Sequence, residues 1–588
     1  MLRHLKEFFS KRKWRYVFGI FFLILVDIIQ LAVPQILKTV TNSLVGENFS
    51  ELKLWGYAAL ILLAGLGIGI CRFAWRSFII WSAADLETWL RSKFFRHLIH
   101  LPQSFYHEHK TGDLMAHATN DLFTIRRTFS GGIIMSVDAL FITISTVVVM
   151  ASSINPVMTL FAMIPLPLMS IVVLIMGKKL HAKFRSVQEG FSMLSDKVQE
   201  SFAGIEVIKA FAQEDENHED FNRYNEDNFQ RNMDLVKIHA LMHNLVNMIG
   251  SLSFAIGIIL GSKYTFAGII TLGDLVAFLQ YLDLLMWPMA AFGMFANMMQ
   301  RGAASIERIN VLLDTSSDLH DQESIDEPEN LNLEIKDLSF TYPGETIPAL
   351  SNVNLSIPQG SNLGIIGHTG SGKTTLVSLL QRLYNIPRGK IYIDGLDIND
   401  ISIEDTRDLI SSVPQDVFLF STMIKDNIAF TDREADMDKV VSTAKTAHVH
   451  EEIVGFPEGY ETYLGERGVN LSGGQRQRTA IARLLYKNSP VMIFDDSLSA
   501  VDTKTESEIL ESLKNSQEKR SSIVISHRVS TLHGLDKIIL IKDGKIIEEG
   551  THEELVAING NYARLFRKQQ IEEKIKAHEL EKGGKQDE

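Results

Sequence analysis

Three short stretches in the second half of the chain hold residues whose types and spacing suit phosphate chemistry. The first is Gly367-His368-Thr369-Gly370-Ser371-Gly372-Lys373-Thr374, followed by Thr375. It fits G-x-x-x-x-G-K-[ST], the P-loop, whose glycines let backbone N–H groups close on phosphate oxygens. Lys373 would neutralise the β- and γ-phosphates of a nucleotide, and the Thr374 hydroxyl would ligate Mg²⁺. The second is Leu471-Ser472-Gly473-Gly474-Gln475, ahead of a helical pattern over 476–486. Two glycines before a helix N-terminus leave N–H groups and the positive end of the dipole open to an anion. The third is an apolar run over 491–494 that ends in Asp495-Asp496. A carboxylate ending a buried strand is costly unless it faces a cation, and nucleotide-bound Mg²⁺ supplies one.

These residues need elements to position them. The P-loop follows a strand pattern, Asn362–Ile366, and opens a helical pattern over 374–383, the context that the motif requires. His527 follows a β-rich run over 522–525. Tyr342 stands in Phe340-Thr-Tyr-Pro-Gly and Gln415 in Val413-Pro-Gln-Asp416. A second γ-phosphate site in one domain makes little sense unless it serves the nucleotide of a neighbour.

The first half is a different material. Hydrophobic residues are 46% of the 588, and all six Trp precede residue 290. Six apolar stretches, 14–37, 54–79, 131–154, 157–177, 239–266 and 272–299, match the roughly 20 residues that span a bilayer as helix. Lys and Arg crowd the N-terminus and the connections after the second and fourth stretches, whereas the opposite loops hold almost none apart from Lys263. Positive residues stay inside, so both termini are expected in the cytoplasm of a multi-pass cell-membrane protein. The two inner connections hold little Gly or Pro and read as helices projecting beyond the bilayer. Met1 to Arg15 is basic and lacks a small-residue cleavage site, so it reads as retained. A net charge of −13 argues against nucleic acid as partner, and the single cysteine, Cys71, excludes an intramolecular disulfide and a Cys-based metal cluster.

The expected architecture is therefore an α-helical polytopic membrane domain of six transmembrane helices (1–313), an acidic linker (314–330), an α/β P-loop NTPase domain (331–566) and a charged C-terminal tail (567–588).

The three motifs, in this order, resemble the nucleotide-binding domain of ABC transporters, and with six spans ahead of them the chain resembles an ABC exporter half-transporter. The resemblance implies that Ser472, Gly473, Gly474 and Gln475 close on ATP held by the opposite subunit. It also implies that Tyr342 stacks on adenine, that Gln415 senses Mg²⁺ and meets the membrane domain, that Asp495 holds Mg²⁺ and that His527 contacts the γ-phosphate. Residues 462–468, T-Y-L-G-E-R-G, resemble an exporter loop, and Asp502 the D-loop. Phe105 to Leu114 with Asn120-Asp121 resemble the first coupling helix; Glu200, Gly204 and Ile208 to Phe211 resemble the region near the second.

One position departs from the family. Where members carry Glu as general base after the strand-end Asp, this chain has Asp496, shorter by one methylene. A misplacement of about an ångström can cost about 10²-fold in rate. Asp496-Ser497-Leu498 resembles the degenerate half of heterodimeric exporters, which implies a second half-transporter subunit supplying the stronger base; a homodimer that tolerates Asp is the alternative. For substrate, the reading is amphipathic drugs or other hydrophobic compounds, with lipid or lipid-linked glycan flipping as the alternative. Asp27, Asp138 and Asp283 fall in or near spans and are candidates for cation contact or gating. Met286, Met289, Met294, Met298 and Met299, with Phe292 and Phe295, make the sixth span adaptable.

Overall fold

A computed structural model describes residues 3–45, 51–319, 321, 331–498, 505, 506, 508, 509, 511 and 520–583. The chain divides into two compact units, Met1–His100 with Lys110–Ser316, and Leu101–His109 with Ser317–Glu588.

The first unit is helical. Its long helices are α1 (Lys6–Val45) and α2 (Glu51–Ile99). After a short helix, α3 (Gln103–Glu108), that belongs to the second unit come α4 (Thr111–Ser153) and α5 (Pro156–Ala203). A short α6 (Ile205–Ala210) precedes α7 (Glu214–Phe266) and α8 (Leu272–Asp314). Six of these are long and apolar enough to cross a membrane. Large apolar side chains such as Leu62, Leu66, Ile70 and Phe73 on α2 stay exposed, as lipid-facing positions do. The helices run well past the apolar stretches. At 53 residues α7 is about 80 Å long, because its polar first half keeps helical spacing and pairs charges such as Arg231 with Asp227.

Local chemistry sets the turns. Asn155 caps α5 through its side chain, with Pro156 at the first helical position, which makes a tight hairpin with α4. Thr271 and Asp274 form a capping box that starts α8, and Asp274 also pairs with Lys38 of α1 at 2.6 Å. Lower down, Asp121 is buried in a π-helical turn of α4, where it accepts from Ser305 and Arg308 of α8 and meets His117 Nδ1 at 2.7 Å. That cluster binds α4 to α8 on the segment outside the apolar span.

The second unit has two sheets. β1 (Leu333–Phe340), β2 (Leu350–Ile357), β4 (Ile391–Ile393) and β5 (Leu396–Asp397) form an antiparallel sheet in the order β2-β1-β4-β5. β3 (Asn362–Ile366), β6 (Ile410–Val413), β7 (Val491–Asp495), β8 (Ser521–Ile525), β9 (Lys537–Lys542) and β10 (Lys545–Gly550) form the other, ordered β10-β9-β3-β8-β7-β6. Its strands are parallel except for the β9–β10 hairpin. β3 and β7 are short and almost wholly apolar because both faces are covered. One core, including Leu333, Ile335, Ile365 and Ile541, lies between the sheets; the other, including Phe494, Val524 and Leu540, lies under the helices.

Candidate active site

The strand order brings the chemistry to one edge. β8 lies between β3 and β7, with Ile365 opposite Ile525 and Ile525 opposite Asp495. The carboxyl ends of three parallel strands therefore deliver Gly367, Asp495 and His527 side by side, where ligands bind in open α/β sheets.

The P-loop leaves β3 and enters α9 (Lys373–Leu380). Gly370 and Gly372 have φ of +80° and +102°, conformations that L side chains avoid. A Cβ on Gly372 would also lie 2.6 Å from the Ala349 carbonyl oxygen. Gly367 packs on the Ile541 carbonyl with no room for a side chain. His368 and Thr369 are exposed at the tip, whereas Ser371 and Thr375 are buried. The Ser371 hydroxyl has no hydrogen-bond partner among the described residues. Lys373 is buried and its Nζ donates to the Gly367 and His368 carbonyls at 2.9 Å each. The loop's own carbonyls thus hold the ammonium inside the turn. Burial holds the Lys373 pKa below the usual lysine range, against the pull of Asp495 and Asp496.

Asp495 is 3% exposed. Burial pushes its carboxyl above the usual carboxylate range; a Thr374 hydrogen bond and the Lys373 charge oppose that shift, and Asp496 adds to it. Asp496 sits just past β7 with φ of 48° and donates its backbone N–H to the Ile525 carbonyl at 3.0 Å. Its Oδ2 lies 3.5 Å from Gln415 Nε2 and 3.8 Å from His527 Nε2. A non-glycine residue in the left-handed region next to a buried carboxylate and a P-loop is the kind of strain that collects at functional sites.

Tyr342 joins this group through Thr375, donating its hydroxyl to Thr375 Oγ1 at 3.0 Å. Its ring meets Phe340 and Tyr384 edge-on at 5.1 and 5.2 Å. The glycine pair starts a separate helix. Ser472 caps α10 (Gly473–Lys487): its hydroxyl accepts from the Gln475 N–H, and its own N–H donates to Gln475 Oε1 at 2.8 Å. α10 packs on β6 and on the helices Ile424–Ile428 and Met437–Thr446, whereas α9 packs on β7. Among the described residues, no hydrogen bond joins 472–475 to 367–375. The structure therefore assembles Lys373, Thr374, Gln415, Asp495, Asp496 and His527, with Tyr342 alongside; the Ser472–Gln475 stretch makes no hydrogen bond to the P-loop, and Gly473 shares a cavity with Gln415. Asp502 lies outside the described residues.

One contributor escaped the sequence reading. Gln569, in the C-terminal helix Asn561–Gly583, donates Nε2 to the His527 carbonyl at 2.6 Å and accepts from the Val529 N–H at 2.8 Å. It clamps both sides of the His527 turn. A lone Gln in a charged tail carries no signal for this; only the fold brings it to β8.

Residues 16–289 match the ABC transporter transmembrane region, and residues 350–499 match the ABC transporter family model. The multidrug resistance-like ATP-binding protein MdlA of Buchnera aphidicola subsp. Schizaphis graminum is 36% identical over 98% of this chain and 99% of its own length. The probable multidrug resistance ABC transporter ATP-binding/permease protein YheI of Bacillus subtilis is 36% identical over 97% of this chain and 98% of its own. An ATP-dependent lipid A-core flippase of Syntrophus aciditrophicus is 32% identical over 92% of this chain and 90% of its own. A solved bacterial Atm1-family ABC exporter with ATP bound shares the fold, with a TM-score of 0.79 at 24% identity, over 94% of this chain and 99% of that one. Six apolar helices, a P-loop edge backed by Asp495, and relatives matched over almost their whole length make this chain a member of the ABC transporter family, an exporter half-transporter that joins one membrane region to one ATP-binding domain.

Proposed function

We propose that the chain exports amphipathic drugs or similar hydrophobic compounds across the cell membrane, powered by Mg²⁺-dependent ATP hydrolysis, as one subunit of a heterodimer. The observation that carries this reading is the meeting of Lys373, Thr374, Asp495 and His527 at one sheet edge, in a chain whose other unit is six membrane-length helices.

The residues have the following roles in this reading. P-loop N–H groups from Gly367 to Thr375 wrap the phosphates, Lys373 leaves its carbonyl partners for the γ-phosphate, and Thr374 and Asp495 hold Mg²⁺ with Gln415 beside them. Burial of Asp495 supports a cation site, because an unmatched carboxylate there is expensive. Tyr342 stacks on adenine, Asp496 acts as a weak base and His527 meets the γ-phosphate. The Ser472–Gln475 helix start serves ATP held by the partner; its distance in bonding from Lys373 supports action in trans. The exposed Phe202, Ile205, Val207 and Phe211 around α6 are apolar surface suited to a second subunit. The ATP-binding unit and both termini lie in the cytoplasm, by the distribution of Lys and Arg. The names of the MdlA and YheI relatives favour drugs. The flippase relative favours a second reading, lipid transfer between leaflets.

The experiment is uptake of a fluorescent amphipathic dye into inside-out vesicles holding this chain with its partner. Mg²⁺-ATP should drive accumulation that vanadate blocks. Unchanged dye levels, together with ATP-driven movement of labelled lipid, would replace drug export by flipping.

A further inference from the structure

Within the first unit, α1, α2, α4 and α8 line a half-open cavity of about 410 Å³. Arg72, Trp75 and Arg76 of α2 line one wall; Asp138 of α4 with Asp283 and Trp287 of α8 line the others. All six lie in or beside the apolar spans. The two arginines are four residues apart, so they share one helix face. Ionised groups at this depth are costly and usually pair with one another. Here no ion pair or hydrogen bond joins the two signs among the described residues. One further group adds to that deficit. The Trp75 indole N–H is buried and has no acceptor among the described residues. Asp27, next to the lining residue Val26, is fully buried; its carboxyl is in hydrogen-bond contact with Asp138, and Arg72 is the opposite charge that acts on it.

The lining thus offers two guanidinium groups facing two carboxylates, with indole rings from both sides. A simple cation would leave Arg72 unmatched and Arg76 held only against the Trp75 ring, 5.5 Å from its centroid. A simple anion would leave Asp138 and Asp283 unmatched. We propose that this cavity binds a zwitterionic amphiphile with a flat apolar body. Its anionic group is held by Arg72 and Arg76, which suit planar oxyanions. Its cationic group faces Asp138 and Asp283, and its body lies between Trp75 and Trp287. The role of the site in transport rests on the export reading; its ligand preference does not.

The test is equilibrium binding to the full chain in lipid nanodiscs without nucleotide, read by fluorescence polarisation. The probes are rhodamine 110, a zwitterion, and rhodamine 123, its methyl ester, which keeps the ring and the cation but loses the anionic group. Rhodamine 110 should bind at least about tenfold tighter. Arg72→Gln should erase that advantage while leaving rhodamine 123 no weaker, Arg72→Lys should restore part of it, and Asp283→Asn should weaken both dyes. Equal or tighter binding of rhodamine 123 to the unmodified chain would overturn the proposal, as would equal weakening of both dyes by Arg72→Gln. Displacement of rhodamine 110 by dihexanoyl-phosphatidylethanolamine would assign the site to lipid zwitterions, and resistance to it would assign the site to free aromatic ones. Dye preference without ATP-driven uptake would defeat the export reading and keep the site; uptake without charge preference would defeat the site alone.

Discussion

Replacing Asp496 by Glu is the single change expected to raise ATP turnover most. Asp496 is pinned at the end of β7 by its N–H bond to the Ile525 carbonyl at 3.0 Å. From there its carboxylate stops 3.5 Å from Gln415 Nε2 and 3.8 Å from His527 Nε2, at or beyond the limit of useful hydrogen bonding. One added methylene advances the carboxylate by about an ångström, the scale at which misplacement costs about 10²-fold. The expected gain is therefore between about 10- and 100-fold in kcat, or about 1.4 to 2.7 kcal/mol of barrier. The left-handed backbone at φ 48° persists, and its cost falls on stability rather than on turnover. The assay is phosphate release at saturating Mg²⁺-ATP by the heterodimer in nanodiscs, with the partner's own base removed so that only the Lys373 site is read, comparing wild type, Asp496→Glu and Asp496→Asn in this chain. Adding His527→Ala to the Glu variant should remove most of the gain. A rise below about twofold with ATP binding intact would refute the argument that base reach limits this site.

Further expectations follow from the same geometry. Because burial raises the Asp495 carboxyl in the folded chain, its charge opposes folding at any pH above the unfolded carboxylate range near 3.9, so Asp495→Asn should raise the nucleotide-free Tm by about 2–4 °C and abolish the Mg²⁺-dependent part of ATP stabilisation. Differential scanning fluorimetry with and without Mg²⁺ reads both effects, and a lowered nucleotide-free Tm would contradict them. Gln569→Ala should loosen the His527 turn and lower kcat by about 3- to 10-fold with KM for ATP unchanged; an effect confined to thermal stability would show that the clamp is structural only. In the reconstituted heterodimer, Gly474→Asp should nearly abolish hydrolysis by placing a carboxylate against the partner's nucleotide, whereas Lys373→Ala should slow it and leave measurable turnover. Equal, near-complete losses would favour a homodimer.

Much of this organisation is legible in the sequence. The P-loop strand Asn362–Ile366 coincides with β3, and the runs at 491–494 and 522–525 lie within β7 and β8, because short apolar stretches beside glycine-rich or acidic motifs admit one reading. Six spans were readable because membrane thickness fixes a length that no soluble element needs six times. Helix ends were not, since the polar halves of α2 and α7 carry helical spacing without the apolar signal that marks a span. The grouping of Leu101–His109 with the second unit was hidden as well, as was Gln569, because each depends on contacts far apart in sequence. Arg72 and Arg76 carry no local signal in the sequence that sets them apart from ordinary span cations; only the shared cavity puts both signs of charge together.

The central claim is that this chain holds ATP at a slow site and completes a fast one for its partner. The most direct measurement is the count and location of ATP trapped in the purified transporter after one round of turnover. Photo-crosslinked 8-azido-ATP, mapped by mass spectrometry, gives both. The account predicts one long-lived ATP per dimer, at the site containing Lys373, with the partner's site in ADP. Equal occupancy and equal hydrolysis at both sites, or ADP at the Lys373 site while ATP persists opposite, would contradict it.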